Sequence, residues 1–392
     1  MVYDYYQLMA IRKCRVCNNA SLTRIGSLGN ISISNFTLRP TNGMACPLTL
    51  VYCSNCTLLQ LLDNPSRHTL YEEHYWYQSS LNPTIQKDLE SVVQDALREV
   101  QHKKHDTWID IGANDGTLLS YVPKTFYKIG IDPAINLLPK LKKHADKVIA
   151  DFFDKAPIQK KASIITAIAC FYDLPNPNLF VQKLKKSLAQ DGIAIIQLMT
   201  LSPMIEQNDV GNICHEHIEY YSYASLVVLF EKHSLEIYKV KTNSMNGGSY
   251  RLFVRHKVKG SIHFSEKNYT ISELKKFFSR VERNKEIFLR FVKKCKKEKK
   301  TIAIYGASTK GNTILQYYKL NYKHILCAVD VNPEKKGRFM VSSRIPITDV
   351  IPPCDYLWVL PYAFLDYFMK KEKNFKKQGG KFIVSTPKVK ML

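Results

Sequence analysis

The stretch Trp108 to Thr117, WIDIGANDGT, decides how the rest of the chain is read. A short apolar strand ends in an acid, Asp110, and runs into a turn with glycines at 112 and 116, after which Leu118 and Leu119 begin a helix-like pattern. Where a strand turns sharply into a helix, glycine lets the backbone approach a ligand, and the first helical N–H groups are left free to bond it. The loop is therefore of nucleotide-binding type. It lacks the three-glycine spacing of a dinucleotide fingerprint and the Gly-Lys-Ser/Thr ending of a P-loop.

A second strand, ending Ile129-Gly130-Ile131-Asp132, places an acid at about the 20-residue offset used by ribose-binding carboxylates. Asp110, Gly112, Asn114 and Gly116, together with Asp132, read as the S-adenosylmethionine (SAM) site of a class I methyltransferase; for the motif alone, a strand-turn-helix without a ligand is the alternative. Strands are expected at 108–112, 127–132, 147–151, 162–170 and 193–198, the last after a turn at Gly192. Helices are expected at 83–104, 116–121, 136–145 and 178–189. This alternation predicts an α/β fold with a doubly wound, Rossmann-like sheet. Asp151 and Phe152 fall where an acid and a ring can hold adenine.

A chain of 392 residues predicts two or three domains. The longest apolar runs, such as Ile164 to Phe171, fall short of the roughly 20 residues that span a bilayer. The N-terminal MVYDYYQLMAIRK has no apolar block of the secretory kind, so a soluble, cytoplasmic protein is expected. The formal charge of +23 favours a polyanionic partner: nucleic acid, an anionic membrane or a diphosphate metabolite. Much of it lies in runs such as Lys293 to Lys300, best read as a solvated helix end, and no base-stacking RNP motif argues for nucleic acid.

Four of the ten cysteines form two CxxC pairs, Cys14/Cys17 and Cys53/Cys56. Two thiolates per knuckle supply the tetrahedral sulfur set of a structural Zn²⁺ and leave no position for a catalytic water. Cys46 lies outside both pairs and reads as an ordinary residue.

The aromatic stretch from Tyr71 to Ser80 contains Tyr75 and Tyr77. Its rings read first as a packing surface, with phenols that donate to an oxyanion as the functional alternative. In Asp209 to Ser222, DVGNICHEHIEYYS, the consecutive His215, Glu216 and His217 lack the i, i+4 spacing of a helical metal pair. A histidine beside a carboxylate suits a general base, an exposed loop histidine being the alternative. Arg251 closes NGGSYR before a strand at 252–256. A basic helix at 270–300 reads as a connector. A second strand-loop-helix unit, TIAIYGASTKGNT (301–313), pairs with a strand at 325–330, and Lys310 within it can meet a substrate phosphate; the alternative is a Rossmann-like unit without a ligand. Strands at 356–360 and 381–385 close a small sheet.

In this order the parts resemble the SAM-dependent C-methyltransferases of nucleotide-linked ketosugars. The resemblance covers nearly the whole chain and rests on the CxxC pairs, Y-x-Y-x-S-S at 75–80, IGANDG, HEH before Tyr220-Tyr221-Ser222, GGSYR, YGASTKGNT and VDVNPEKKGR with IPI at 345–347. It implies a zinc-binding domain (1–70), a SAM domain (71–260), a helical connector (261–300) and a C-terminal Rossmann-like substrate domain (301–392), in a monomer or homodimer. It further implies His217 as general base with Glu216 beside it, Tyr75 or Tyr77 near the sugar, and Ser308, Lys310, Asn312 and Arg251 around a nucleotide-diphosphate ketosugar. The chain departs from the pattern at Cys214, where a tyrosine is usual, and at Asp173, where a histidine is usual; both positions then belong to the substrate set. O- or N-methylation of a small metabolite is the second reading, and a nucleic-acid methyltransferase or RNA-binding protein the third.

Overall fold

The structure, a computed structural model, describes residues 9–72, 74–101 and 103–392. Most of the N-terminal stretch judged non-secretory lies outside these residues. Among the described residues no helix is long and apolar enough to cross a membrane.

The quoted stretch forms the strand Thr107–Ile111, buried at every position, as a strand covered on both faces must be. It lies in a seven-stranded sheet with the spatial order Leu235–Asn243, Ser249–His256, Leu188–Met199, Ala162–Ile168, Thr107–Ile111, Tyr127–Ile131, Lys147–Ile149. Pairing is parallel from Leu188–Met199 to Lys147–Ile149 and antiparallel for the two strands at the other edge. Thr117–Tyr121 follows the loop as a helix capped by Gly116 at φ 83°. The fold is thus a class I methyltransferase Rossmann-like sheet carrying further units at both ends of the chain.

Several expected boundaries move. The 83–104 helix ends at Glu99, where its apolar stripe runs out. The 136–145 helix shrinks to Leu138–Leu141 behind a 3₁₀ turn, and the 325–330 strand to Ala328–Val329. Gly192 lies inside the strand Leu188–Met199 and not in a turn before it. The pairing register shifts there, and a Cβ at 192 would sit 2.8 Å from the Ala162 carbonyl oxygen. Close approach of two backbones, not turning, selects glycine.

The N-terminal unit is a four-stranded antiparallel sheet in the order Glu219–Tyr220, Leu59–Leu61, Ala45–Cys53, Leu22–Ser32. Its edge strand comes from the segment just after His-Glu-His. The C-terminal sheet has six strands, in the order Ile347–Thr348, Ala328–Val329, Ile302–Tyr305, Tyr356–Val359, Lys381–Val384, Lys390–Met391. The helix Ile271–Lys297 is more than a connector. Leu274, Phe277, Val281, Phe288, Val292 and Cys295 recur on one face and enter a single core with Ile25 and Leu28 of the first sheet and Ile302 and Trp358 of the last. Its terminal lysines are exposed, as a solvated charge run should be.

Arg251 binds sheet to helix. Its guanidinium donates to Asp95 Oδ2 at 2.7 Å, Asp88 Oδ1 at 2.8 Å and Gln197 Oε1 at 2.8 Å, the two acids lying seven residues apart on the helix Pro83–Glu99. Arg251→Met strands this carboxylate pair, leaving Asp95 with Lys241 and the more exposed Arg98 and Asp88 with no ion-pair partner among the described residues. We expect a loss of about 3 kcal/mol in urea-unfolding free energy, with SAM affinity kept in the folded fraction.

Candidate active site

Two adjoining cavities open where the three units meet. The smaller, about 160 Å³, is lined by Gly112, Asn114, Asp132, Asp151 and Phe152. The larger, about 520 Å³, is lined by His217, Glu216, Ser308 and Lys310, with a wall from residues 33–44 of the N-terminal unit. Tyr75, Tyr77, Ala169, Asp173 and Asn246 line both and form the junction.

The smaller cavity gathers most of the residues expected to hold SAM: Gly112, Asn114, Asp132, Asp151 and Phe152. Asp132 Oδ2 accepts from the Asn114 N–H at 2.7 Å and Oδ1 from the Ala134 N–H at 2.8 Å, so the strand-end acid holds the glycine loop open. Burial pushes its carboxyl up to about 6. Gly112, at φ 65°, leaves room that a Cβ would fill 3.1 Å from Cys170. Phe152 carries the Arg67 guanidinium 3.9 Å from its ring centroid, and Arg67 is fixed by two bonds to Asp154. Asp110 and Gly116 do not line this cavity. Asp110 accepts from Thr166 Oγ1 at 2.6 Å behind the loop, its carboxyl pushed up to about 7 by burial. Gly116 caps the helix.

At the larger cavity the segment 214–217 is irregular, and residues that no helix or strand would align converge: donor atoms of Glu216 and His217, which line it, and of Cys214, which does not, lie within 4.8 Å of one another. His215 turns the other way, its Nε2 3.2 Å from the Cys46 carbonyl oxygen. His217 Nδ1 lies 2.9 Å from Asn212 Oδ1. Because that oxygen only accepts, Nδ1 carries the proton and Nε2 keeps its lone pair. Burial, then the charge of Lys310, hold this imidazole well below the usual histidine range. Glu216 is pushed up to about 7 by burial. Burial, then the neighbouring carboxyls Glu216 and Glu219, push Asp173 well above the carboxylate range, and its Oδ1 is buried without a partner.

Some expected residues are not brought here. Arg251 reaches neither cavity, being consumed by Asp88 and Asp95. Asn312 is fully buried against Ser34 and Ser343, and Cys214 lies behind the cavity wall. Residues not anticipated include Asp209 and Tyr362, which line the larger cavity. Tyr172, expected beside Asp173 at the substrate, lines it too, and its ring meets His217 edge-on at 4.6 Å. Asp209 opens the HEH segment and was visible as its one upstream acid; Tyr362 has no local signal.

The C-terminal loop repeats the bonding of the loop at 112–116. Asp330 Oδ2 accepts from the Ala307 N–H at 2.9 Å and Oδ1 from the Asn332 N–H at 2.8 Å. Here Lys335 donates to Asp330 Oδ2 at 3.2 Å and to the Ala307 carbonyl oxygen at 2.7 Å, so the acid is neutralised from within.

Cys14, Cys17, Cys53 and Cys56 place their sulfurs within 4.8 Å of one another, four donors that fill a tetrahedral zinc shell. This cluster docks on the central sheet's helix Pro177–Ser187, where Asn178 Nδ2 donates to the carbonyl oxygens of Arg15 (2.6 Å) and Val16 (3.0 Å).

Three family models match in succession: a zinc binding domain over residues 14–71, a methyltransferase domain over 84–240, and a C-methyltransferase C-terminal domain over 244–387. The chain is 26% identical over 414 residues to C-methyltransferase NovU of Streptomyces niveus, covering 97% of each chain. Among solved structures, a SAM-dependent methyltransferase of Clostridium acetobutylicum matches 44% of this chain and 92% of its own at 10% identity, TM-score 0.38. N-methyltransferase NodS of Bradyrhizobium japonicum matches 45% and 98% at 12% identity, TM-score 0.37.

Cys14→Ser is expected to cost the metal and the fold together, read as less than one zinc per chain by elemental analysis and a lowered melting temperature; a zinc-free variant that melts like the parent contradicts a structural metal. Asp132→Ala removes the acceptor of two backbone N–H bonds, and calorimetry should find SAM affinity reduced by at least about tenfold.

Proposed function

We propose that this SAM-dependent methyltransferase, a relative of the C-methyltransferases, methylates the carbon next to the ketone of a nucleotide-linked ketosugar. The observation that carries the reading is the tautomer of His217, a residue that lines the larger cavity: Nδ1 is spent on Asn212, which leaves the Nε2 lone pair to act as a base. A C–H beside a carbonyl is too weakly acidic to be lost unaided, so it needs a positioned base and a stabilised oxyanion. A neutral, desolvated imidazole supplies the first. SAM, when bound, supplies the electrophilic methyl group. The phenols of Tyr75 and Tyr77 and the carboxyl of Asp173 stand at the junction, where the carbon nucleophile and the methyl group must meet, and hold the two reactants in near-attack geometry.

In this reading residues 1–70 wall the sugar site and exclude water, 71–260 bind SAM, 261–300 brace the ends of the chain, and 301–392 take the substrate's nucleotide end beside Ser308. The full-length similarity to a C-methyltransferase supports transfer to carbon. The nucleotide-sugar substrate is supported by a cavity of about 520 Å³ beside the SAM cavity and by a polyanion-favouring charge of +23.

The test is deuterium uptake by a panel of nucleotide-linked 4-ketosugars in D₂O. Uptake with one of them identifies the donor, whereas no uptake in protein that binds SAM favours O- or N-methylation. His217→Ala should abolish both uptake and turnover while SAM still binds, and unchanged turnover would remove His217 as the base. A base acts when neutral and fails as pH falls through its pKa. Lys310, Glu216, Cys214 and Tyr172 surround His217, and burial together with Lys310 lowers its pKa. The acid limb of kcat/KM assigned to His217 is therefore expected below the usual 6.5.

A further inference from the structure

Lys310 is the second residue of the helix Thr309–Tyr317, in the C-terminal unit, yet its side chain crosses to the central sheet. Its Nζ lies 3.0 Å from Met199 Sδ, at the end of the strand Leu188–Met199. A thioether is a weak acceptor. Among the described residues this is the only hydrogen bond of the ammonium, and it belongs to no ion pair. Lys335 and Arg251, by contrast, are consumed by acids. A half-buried ammonium with so poor a partner is costly unless a ligand brings an anion.

The surroundings say which anion. Lys310 shares the larger cavity with His217 and Glu216, and its charge lowers the proton affinity of His217 and steadies the carboxylates of Asp209, Glu216 and Asp173. In a ketosugar the carbonyl carbon is bonded directly to the carbon that loses its proton, whereas the diphosphate hangs from the anomeric carbon beside the ring oxygen. A cation drawn to Met199, on the same cavity wall as His217 and Glu216, is placed to face the carbonyl.

We propose that Lys310 is a catalytic residue whose ammonium holds the oxyanion that forms on the substrate's carbonyl oxygen, and that it is not the ligand of the diphosphate. The inference rests on the ketosugar reading above. The C–H bond breaks, its proton goes to His217 Nε2, its electron pair becomes the carbon–carbon double bond, and the carbonyl π pair moves to the oxygen facing Lys310. The step is reversible, and in D₂O it exchanges the proton without SAM. The C-terminal unit thereby completes a catalytic centre whose base lies on another unit.

The experiment compares the full-length parent with Lys310→Met and Lys310→Arg in two readouts. The first is deuterium uptake at saturating ketosugar with SAM omitted. The second is calorimetric affinity for TDP, UDP, GDP and CDP, with SAM binding as the check of folding. Lys310→Met is expected to slow uptake by about 10² to 10³, the loss typical of one oxyanion donor, with nucleoside diphosphate affinity unchanged and partial recovery in Lys310→Arg. Parental uptake with weakened diphosphate binding would make Lys310 a phosphate ligand and overturn the proposal alone. A parent that binds SAM and exchanges no ketosugar overturns the ketosugar reading and this inference with it.

Discussion

The site depends on how residues 214–222 are held between two units. Glu219–Tyr220 pairs with Leu59–Leu61 as the edge strand of the N-terminal sheet. Just before it, the Ile218 carbonyl oxygen accepts from Leu61 N–H at 2.9 Å while the Ile218 N–H donates to the Tyr172 carbonyl oxygen at 3.0 Å. Buried backbone groups must be paired, and here they are paired in opposite directions, one to the zinc-bearing unit and one to the methyltransferase sheet. With Ile218 fixed from both sides, His215 faces Cys46 and His217 faces Asn212 and the cavity. The orientation of the His217 ring is thus decided by strand pairing and only then refined by its own hydrogen bond.

The same economy recurs at the two Rossmann-like loops. Each uses a strand-end acid as a double acceptor for backbone N–H groups, Asp132 in one and Asp330 in the other. They differ in the cation. Among the described residues Asp132 belongs to no ion pair, and burial raises its pKa. Asp330 already has Lys335. One geometry is therefore left open beside a cavity at Asp132 and braced from within at Asp330, where a lysine follows five residues later.

The sheet was legible because its central strands are short, continuous apolar runs ending in acids or glycines, and because fully covered parallel strands carry that pattern. The four cysteines were legible because their spacing is itself the chemistry. Arg251 was not: a lone arginine after a glycine pair looks the same whether it meets a phosphate or two acids on a helix more than 150 residues upstream. Asn312 likewise sits in a loop-helix motif that suits ligand binding, yet its side chain faces inward to Ser34 and Ser343. Gly192 was read as a turn because sequence does not reveal a neighbouring strand's carbonyl. In each case the deciding partner is distant in sequence and close in space.

The shared edge strand also bears on how such proteins can be recombined. Exchanging the N-terminal unit with that of a relative, cut at an apparent boundary near residue 71, would separate Leu59–Leu61 from the Glu219–Tyr220 strand it was selected to pair with. A chimera built in this way inherits a His-Glu-His segment whose backbone frame comes from one parent and whose partner strand comes from the other. The heritable structural unit is therefore discontinuous, and residues 45–61 and 214–222 travel together or not at all.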